Sequence, residues 1–170
     1  MKKKNFNPAG PAFLLLFASF LLFSTEASGS PEKITVGEVE EVMLLPWGVR
    51  LPARIDTGAA VSSLDARRLR VKQGVAEFRL PEKYGGLFLR LPVKEWRNIK
   101  TARATERRPV VTVKLCLGPI VLDTDVTLTD RSKVKYPVLI GRNVLKDNFV
   151  VDCAEYMCAV PNCPIPPSQK

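Results

Sequence analysis

The 170-residue sequence contains no histidine. That absence removes the usual base for serine and cysteine nucleophiles and the commonest zinc ligand, so hydrolytic chemistry in this chain has to run on carboxylates. No phosphate-cradling Gly-Lys-Ser/Thr loop occurs either, which excludes the ordinary way of holding ATP. The 4 cysteines include no Cys-x-x-Cys pair, so a zinc knuckle has no ligand spacing to build on. Neither a metal nor a nucleotide cofactor is therefore expected. Long apolar runs are missing too: the stretch Ala12 to Phe23 is about twelve residues, short of the roughly 20 a membrane-spanning helix needs.

What stands at the N-terminus is Lys2-Lys3-Lys4, that apolar stretch, and then the small residues of Ser24-Thr25-Glu26-Ala27-Ser28-Gly29. This order is the pattern of a secretory signal peptide, with Thr25 and Ala27 suiting a cut after Ala27. The plan along the chain is a signal peptide over 1–27, a linker over 28–33, one folded domain over 34–152 and a Cys/Pro-rich tail over 153–170. Export to the periplasm or cell envelope follows, with membrane contact only through the signal segment if it is not cut. Removing 1–27 takes away three lysines and Glu26, and the formal charge falls from +9 to +7. The cations are scattered: Arg67-Arg68-Leu69-Arg70 and Glu106-Arg107-Arg108 read as solvated edges, and nucleic acid is not an expected partner after export. Four cysteines in an exported chain imply oxidation, with two bridges possible among Cys116, Cys153, Cys158 and Cys163 in three pairings; a stapled C-terminal tail is the expectation.

Short apolar or alternating runs separated by Gly, Pro, Asn and Asp cover Thr35 to Leu45, Val49 to Ile55, Val75 to Leu80, Leu87 to Val93, Val110 to Leu117, Ile120 to Leu128 and Val138 to Ile140. This is an all-β pattern at barrel-like spacing. Gly118-Pro119 supplies a hairpin turn. Helix is expected in two short pieces, Ser62 to Leu69 and Arg142 to Lys146.

Within this pattern, Ile55-Asp56-Thr57-Gly58-Ala59 follows a strand and is answered about eighty residues later by Val138-Leu139-Ile140-Gly141-Arg142-Asn143. A lone Asp-Thr-Gly recurs by chance; the two segments together, with Thr105-Glu106-Arg107-Arg108-Pro109-Val110-Val111 and Leu128-Thr129-Asp130-Arg131 between them, do not. Residues 34–152 resemble a retropepsin-like aspartic protease, specifically a bacterial family that carries the label ATP-dependent zinc protease. The resemblance implies an all-β fold, a closed or partly open acid-protease barrel with one short C-terminal helix. It also implies peptide-bond hydrolysis by Asp56.

The chain has no internal repeat and only one Asp-Thr-Gly; Asp123-Thr124-Asp125 lacks the glycine and reads as strand surface. A second catalytic carboxylate must come from Asp56 of a second copy, which makes a homodimer the expected assembly and a polypeptide the expected substrate. Two carboxylates about 3 Å apart share one proton, so the pair supplies a general base for water and an acid for the carbonyl, and it titrates as a pair. By the resemblance, Thr57 ties the two loops together, Gly58 and Ala59 shape the loop, and Leu139, Ile140 and Gly141 pack behind it. Arg142 opens the helix; with Ala60 where retroviral enzymes place an aspartate, Arg142 needs another partner, and Asp65, Asp147 and Asp152 are the candidates. A flap has to lie between Tyr84 and Thr105, its tip either Tyr84-Gly85-Gly86 or Trp96-Arg97-Asn98. The alternative function is a non-catalytic binding or scaffolding module of the cell envelope on the same fold.

Overall fold

The computed structural model of the chain describes residues 32–100 and 104–165. The expected signal peptide lies outside the described residues, as does nearly all of the linker. The strands are β1 (Ile34–Val36), β2 (Val39–Leu45), β3 (Val49–Ile55), β4 (Ser62–Asp65), β5 (Arg67–Lys72), β6 (Val75–Arg79), β7 (Phe88–Pro92), β8 (Glu95–Lys100), β9 (Thr105–Leu117), β10 (Ile120–Thr129) and β11 (Val138–Ile140); helix α1 (Arg142–Asn148) and β12 (Phe149–Val151) complete the order.

Six strands run in the order β10-β4-β11-β3-β2-β9, and β9 pairs again with β10, so the sheet closes into a barrel with β8 added on the far side of β9. Closure leaves the inward side chains of each alternating strand with only each other to pack against. Val42, Leu44, Leu51, Ala53, Leu115, Leu117, Val126, Leu128 and Ile140 are all buried there, the larger of them contributing roughly 1.5–3 kcal/mol each. Gly118, at φ +56, reverses the chain between β9 and β10 as the sequence indicates. A three-stranded sheet, β5-β6-β7, lays Leu69, Val71, Ala76, Phe78 and Leu89 on the same core. Its β5–β6 hairpin turns through Gln73 and Gly74, both at positive φ as a tight two-residue hairpin requires.

The expected helix over Ser62 to Leu69 is absent. Ser62–Asp65 is β4, buried at every position, and it is paired on one side with β10 and on the other with β11. Three polar residues in four suggest an exposed helix start, but a strand threaded between two neighbours has both edges satisfied, and tertiary pairing overrides propensity. The next residues form β5, whose strict alternation is that of a half-buried strand. The run from Thr35 to Leu45 breaks into β1 and β2 at Gly37, because a side chain there would drive into the backbone of Glu155 and Tyr156. β8 was hidden by its charged composition and β12 by its brevity.

The tail is fastened at Cys163, and its last residues, 166–170, lie outside those described. Cys116 of β9 is bridged to Cys163, across 47 residues of sequence, a closure worth about 2–4 kcal/mol. The second bridge does not form: Cys153 and Cys158 are free thiols. They sit in different surroundings: Cys153 borders the cleft beside Asp56 and Thr57, while Cys158 Sγ lies 3.1 Å from Glu40 Oε1. Packing and then the Glu40 carboxylate push the Cys158 thiol above the usual cysteine range. The thiolate is the reacting form, so Cys153 is expected to take iodoacetamide several-fold faster than Cys158 at pH 8. Peptide mapping by mass spectrometry checks this, and equal rates would contradict it.

Candidate active site

β3 delivers Asp56. The strand is held antiparallel by β2 and parallel by β11, with Ile55 opposite Ile140, so its end cannot shift without unzipping both ladders. One residue further, the Asp56 amide donates to the Ile140 carbonyl at 2.9 Å and the chain turns, with the Ala59 amide on the Asp56 carbonyl at 3.3 Å. The amides of Gly58 and Ala59 also donate to Asp56 Oδ1, at 2.9 and 3.2 Å. Gly58 is needed for this approach: a Cβ there would stand 3.1 Å from that same oxygen. Oδ2 makes no hydrogen bond among the described residues. Asp56 is half-buried, and Thr57 and Gly58 beside it are exposed.

Leu139, Ile140 and Gly141 pack behind this turn. Gly141 is forced, because a Cβ would meet the Ala59 and Val61 backbone at 2.8–2.9 Å. Arg142 does not pair with Asp65, Asp147 or Asp152. Its Nη1 donates to the carbonyls of Thr57 and Gly58, at 2.8 and 2.9 Å, and its backbone amide to the Ala59 carbonyl at 2.9 Å. Carbonyls suffice because the loop curls over the helix start, presenting oxygens that water would otherwise have to satisfy. Asp65 is taken instead by Arg67 and by the Arg131 amide.

Asn143 has a role that sequence reasoning missed. Its Oδ1 accepts from the Ser62 amide and hydroxyl, and its Nδ2 donates to Thr124 Oγ1 and the Asp125 carbonyl. The Ser62 hydroxyl in turn accepts from the Gly141 amide at 3.0 Å. One side chain thus locks β4, β10 and α1 together beneath the aspartate turn. Its place directly after Gly141-Arg142 was the available signal. Asp123 and Asp125 form no second aspartate loop: Asp125 is bound by Lys94 at 2.7 Å and Thr112 at 2.8 Å, and Lys94 holds its carboxyl below the usual range.

Asp56 opens on a cleft of about 490 Å³ whose far side is the β8–β9 hairpin, through Asn98, Ile99 and Lys100. The hairpin pairs from Glu95 opposite Val110 to Lys100 opposite Thr105, and the residues between the two strands lie partly outside those described. Tyr84-Gly85-Gly86 forms a separate short turn between β6 and β7 and does not line this cleft. Trp96 sits at the hairpin's base opposite Pro109, with the Arg107 guanidinium 5.2 Å above its ring, and faces the adjoining cleft.

The Asp56 cleft is basic. Lys100, Arg108 and Arg131 line it. Arg131 is held by its Nε on the Tyr136 carbonyl at 3.0 Å; burial pushes its guanidinium below the usual arginine range, and the Asp65 and Asp56 carboxylates partly restore it. The buried Ser63 hydroxyl, also on the cleft, has no partner among the described residues. Among the described residues no cluster of three His, Cys, Asp or Glu is arranged to hold a metal.

Comparison with known proteins agrees with this geometry. Probable alpha-L-glutamate ligases from Shewanella pealeana and Parasynechococcus marenigrum are 30% and 35% identical to it, over 76% and 71% of this chain. The match takes in only 30% and 28% of their own length, so the chain spans less than a third of these relatives. A crystal structure of a Legionella pneumophila protein of unknown function superposes with a TM-score of 0.65 at 30% identity, covering 75% of this chain and 99% of that one. The family model for the retropepsin-like aspartic endopeptidase RimB matches residues 35–161. The chain, with its single aspartate turn set at the mouth of a six-stranded barrel, belongs to this RimB-like family of retropepsin-like aspartic endopeptidases.

Proposed function

We propose that this chain is an exported aspartic endopeptidase whose catalytic pair is Asp56 and the Asp56 of a second copy. The observation that carries this reading is the half-buried Asp56 carboxylate, pinned through Oδ1 by two loop amides and open to a cleft, in a chain with one such loop and with Thr57 and Gly58 exposed beside it. In the assembled pair the ionised member takes a proton from water as the water's oxygen attacks the peptide carbon. The protonated member donates to the carbonyl oxygen. As the C–N bond breaks, the proton taken from water passes to the leaving amine. The β8–β9 hairpin closes over the peptide and excludes bulk water.

Lys100, Arg108 and Arg131 favour a polypeptide carrying carboxylates. The relatives named as probable alpha-L-glutamate ligases make glutamate a natural side chain to look for in that polypeptide. Ligase activity itself is not assigned, since the chain spans less than a third of the relatives that carry the name. The disulfide supports an oxidising compartment and hence export.

The test is cleavage of an unfolded glutamate-rich polypeptide at mildly acidic pH across a dilution series. Because the site is assembled from two copies, activity per chain is expected to fall on dilution in step with loss of the dimer by light scattering. Undiminished cleavage by a monomer would refute the paired mechanism.

A further inference from the structure

We propose that the outward face of the β5-β6-β7 sheet is a docking surface for a bilayer bearing anionic headgroups. The inner face of this sheet belongs to the core. The outer face takes what remains of each alternation: Arg68, Arg70 and Lys72 from β5, Glu77 and Arg79 from β6, and Phe88 and Arg90 from β7.

Antiparallel register turns these into rows. Arg70, Glu77 and Arg90 lie side by side across the three strands, and Arg79 lies opposite Phe88 in the next row. Arg68 reaches the surface through a register shift between Arg67 and Arg70 and adopts φ +54, a conformation uncommon for a side-chain-bearing residue. Glu77 pairs with Arg90 at 3.1 Å, so five cations face one carboxylate. Phe88 stands among them 47% exposed, with the Arg79 guanidinium 5.5 Å from its ring centre.

The array extends in two dimensions, which decides the partner. An extended acidic peptide lying on the sheet would meet one row, whereas a plane of anionic headgroups meets them all. A ring that is apolar in body and rimmed by guanidinium groups suits the boundary between headgroups and acyl chains. Each cation near such a surface strengthens binding about fivefold, and the attraction falls off within a Debye length.

The test is co-sedimentation of the full chain with vesicles of phosphatidylglycerol and phosphatidylcholine against phosphatidylcholine alone. Acetylation of Lys72 is followed in parallel, so that any anchoring by the N-terminal segment does not mask the result. Anionic vesicles are expected to bind more strongly, to slow Lys72 acetylation and to release the protein at high salt. The doubly substituted Arg68→Glu, Arg70→Glu protein is expected to lose about 25-fold or more of the anionic preference, with its melting temperature unchanged because both side chains are exposed. The proposal is overturned if that variant binds as the parent does, if anionic vesicles leave Lys72 acetylation unchanged, or if polyglutamate protects Lys72 where vesicles do not.

Discussion

Replacing Asp56 by Asn is expected to lower peptide cleavage by about 10³-fold or more while the protein melts within a degree or two of the parent. The amide keeps the shape of the carboxylate, and its oxygen still accepts from the Gly58 and Ala59 amides. What it loses is the ability to take up and release a proton, a function worth roughly 10²–10⁴ in rate. Because both carboxylates of the proposed pair come from the same codon, one substitution removes base and acid together. Residues acting as a unit do not add their losses, so the second adds little beyond the first. The paired mechanism makes a sharper demand: Asp56→Asn chains added in excess to the parent protein should lower its activity by drawing parent chains into mixed pairs. Turnover is followed by mass spectrometry of peptide products. More than about a tenth of the parent rate in a clean Asp56→Asn preparation would sink the assignment, and a lack of poisoning would sink the pairing.

The largest expected effect on stability is at Glu40, a carboxylate with 0% exposure. It has no cationic partner among the described residues; instead its two oxygens accept from the amides of Gly37 at 2.6 Å, Cys158 at 3.2 Å and Ala159 at 2.9 Å. These donors come from the break between β1 and β2 and from the tail, so one side chain closes the lower end of the barrel onto the segment leading to the Cys116–Cys163 bridge. Glu40→Ala leaves several donors without an acceptor in a site water cannot readily fill. At about 1–3 kcal/mol for each buried group left unpaired, and with partial relaxation of the tail, the cost is about 3–5 kcal/mol. For a domain of this size that lowers the melting temperature by roughly 10–15 °C. Glu40→Gln keeps one acceptor and turns an NH2 toward the remaining amides, so it should lose less than the alanine variant. Thermal unfolding with the disulfide intact measures both, and an alanine variant within about 0.5 kcal/mol of the parent would show that the tail is held by other means.

Glu40 also marks a limit of sequence reading. In Val39-Glu40-Glu41 both acids look solvent-facing, and Glu41 is, paired with Arg50 at 2.6 Å. Burial of Glu40 depends on a tail more than a hundred residues away folding back to supply its donors, which no local pattern records. The same holds for the β8–β9 hairpin. β8 reads as a polar stretch because one of its faces is half covered and the other exposed, and its identity comes from its pairing with β9 and from the cleft it faces. Tyr84-Gly85-Gly86 has the local chemistry of a mobile turn but does not line the Asp56 cleft. For Arg142, a carboxylate partner was the natural expectation because guanidinium groups usually seek charge, whereas the fold brings two loop carbonyls within reach instead.

The sequence by itself determined five of the six strands of the barrel wall, β2, β3, β9, β10 and β11, because short apolar or alternating runs between turn residues are a local property. It also determined the aspartate turn and the helix that begins at Arg142, since a glycine forced by close backbone approach leaves its mark in one residue. Tertiary structure alone decided the closing of β9 on β10, the burial of β4, the choice of Cys163 as partner for Cys116 and the fate of each buried charge. Those outcomes depend on which distant groups come within about 3–4 Å of one another, and Coulomb and hydrogen-bond energies at that range are set by the whole path of the chain.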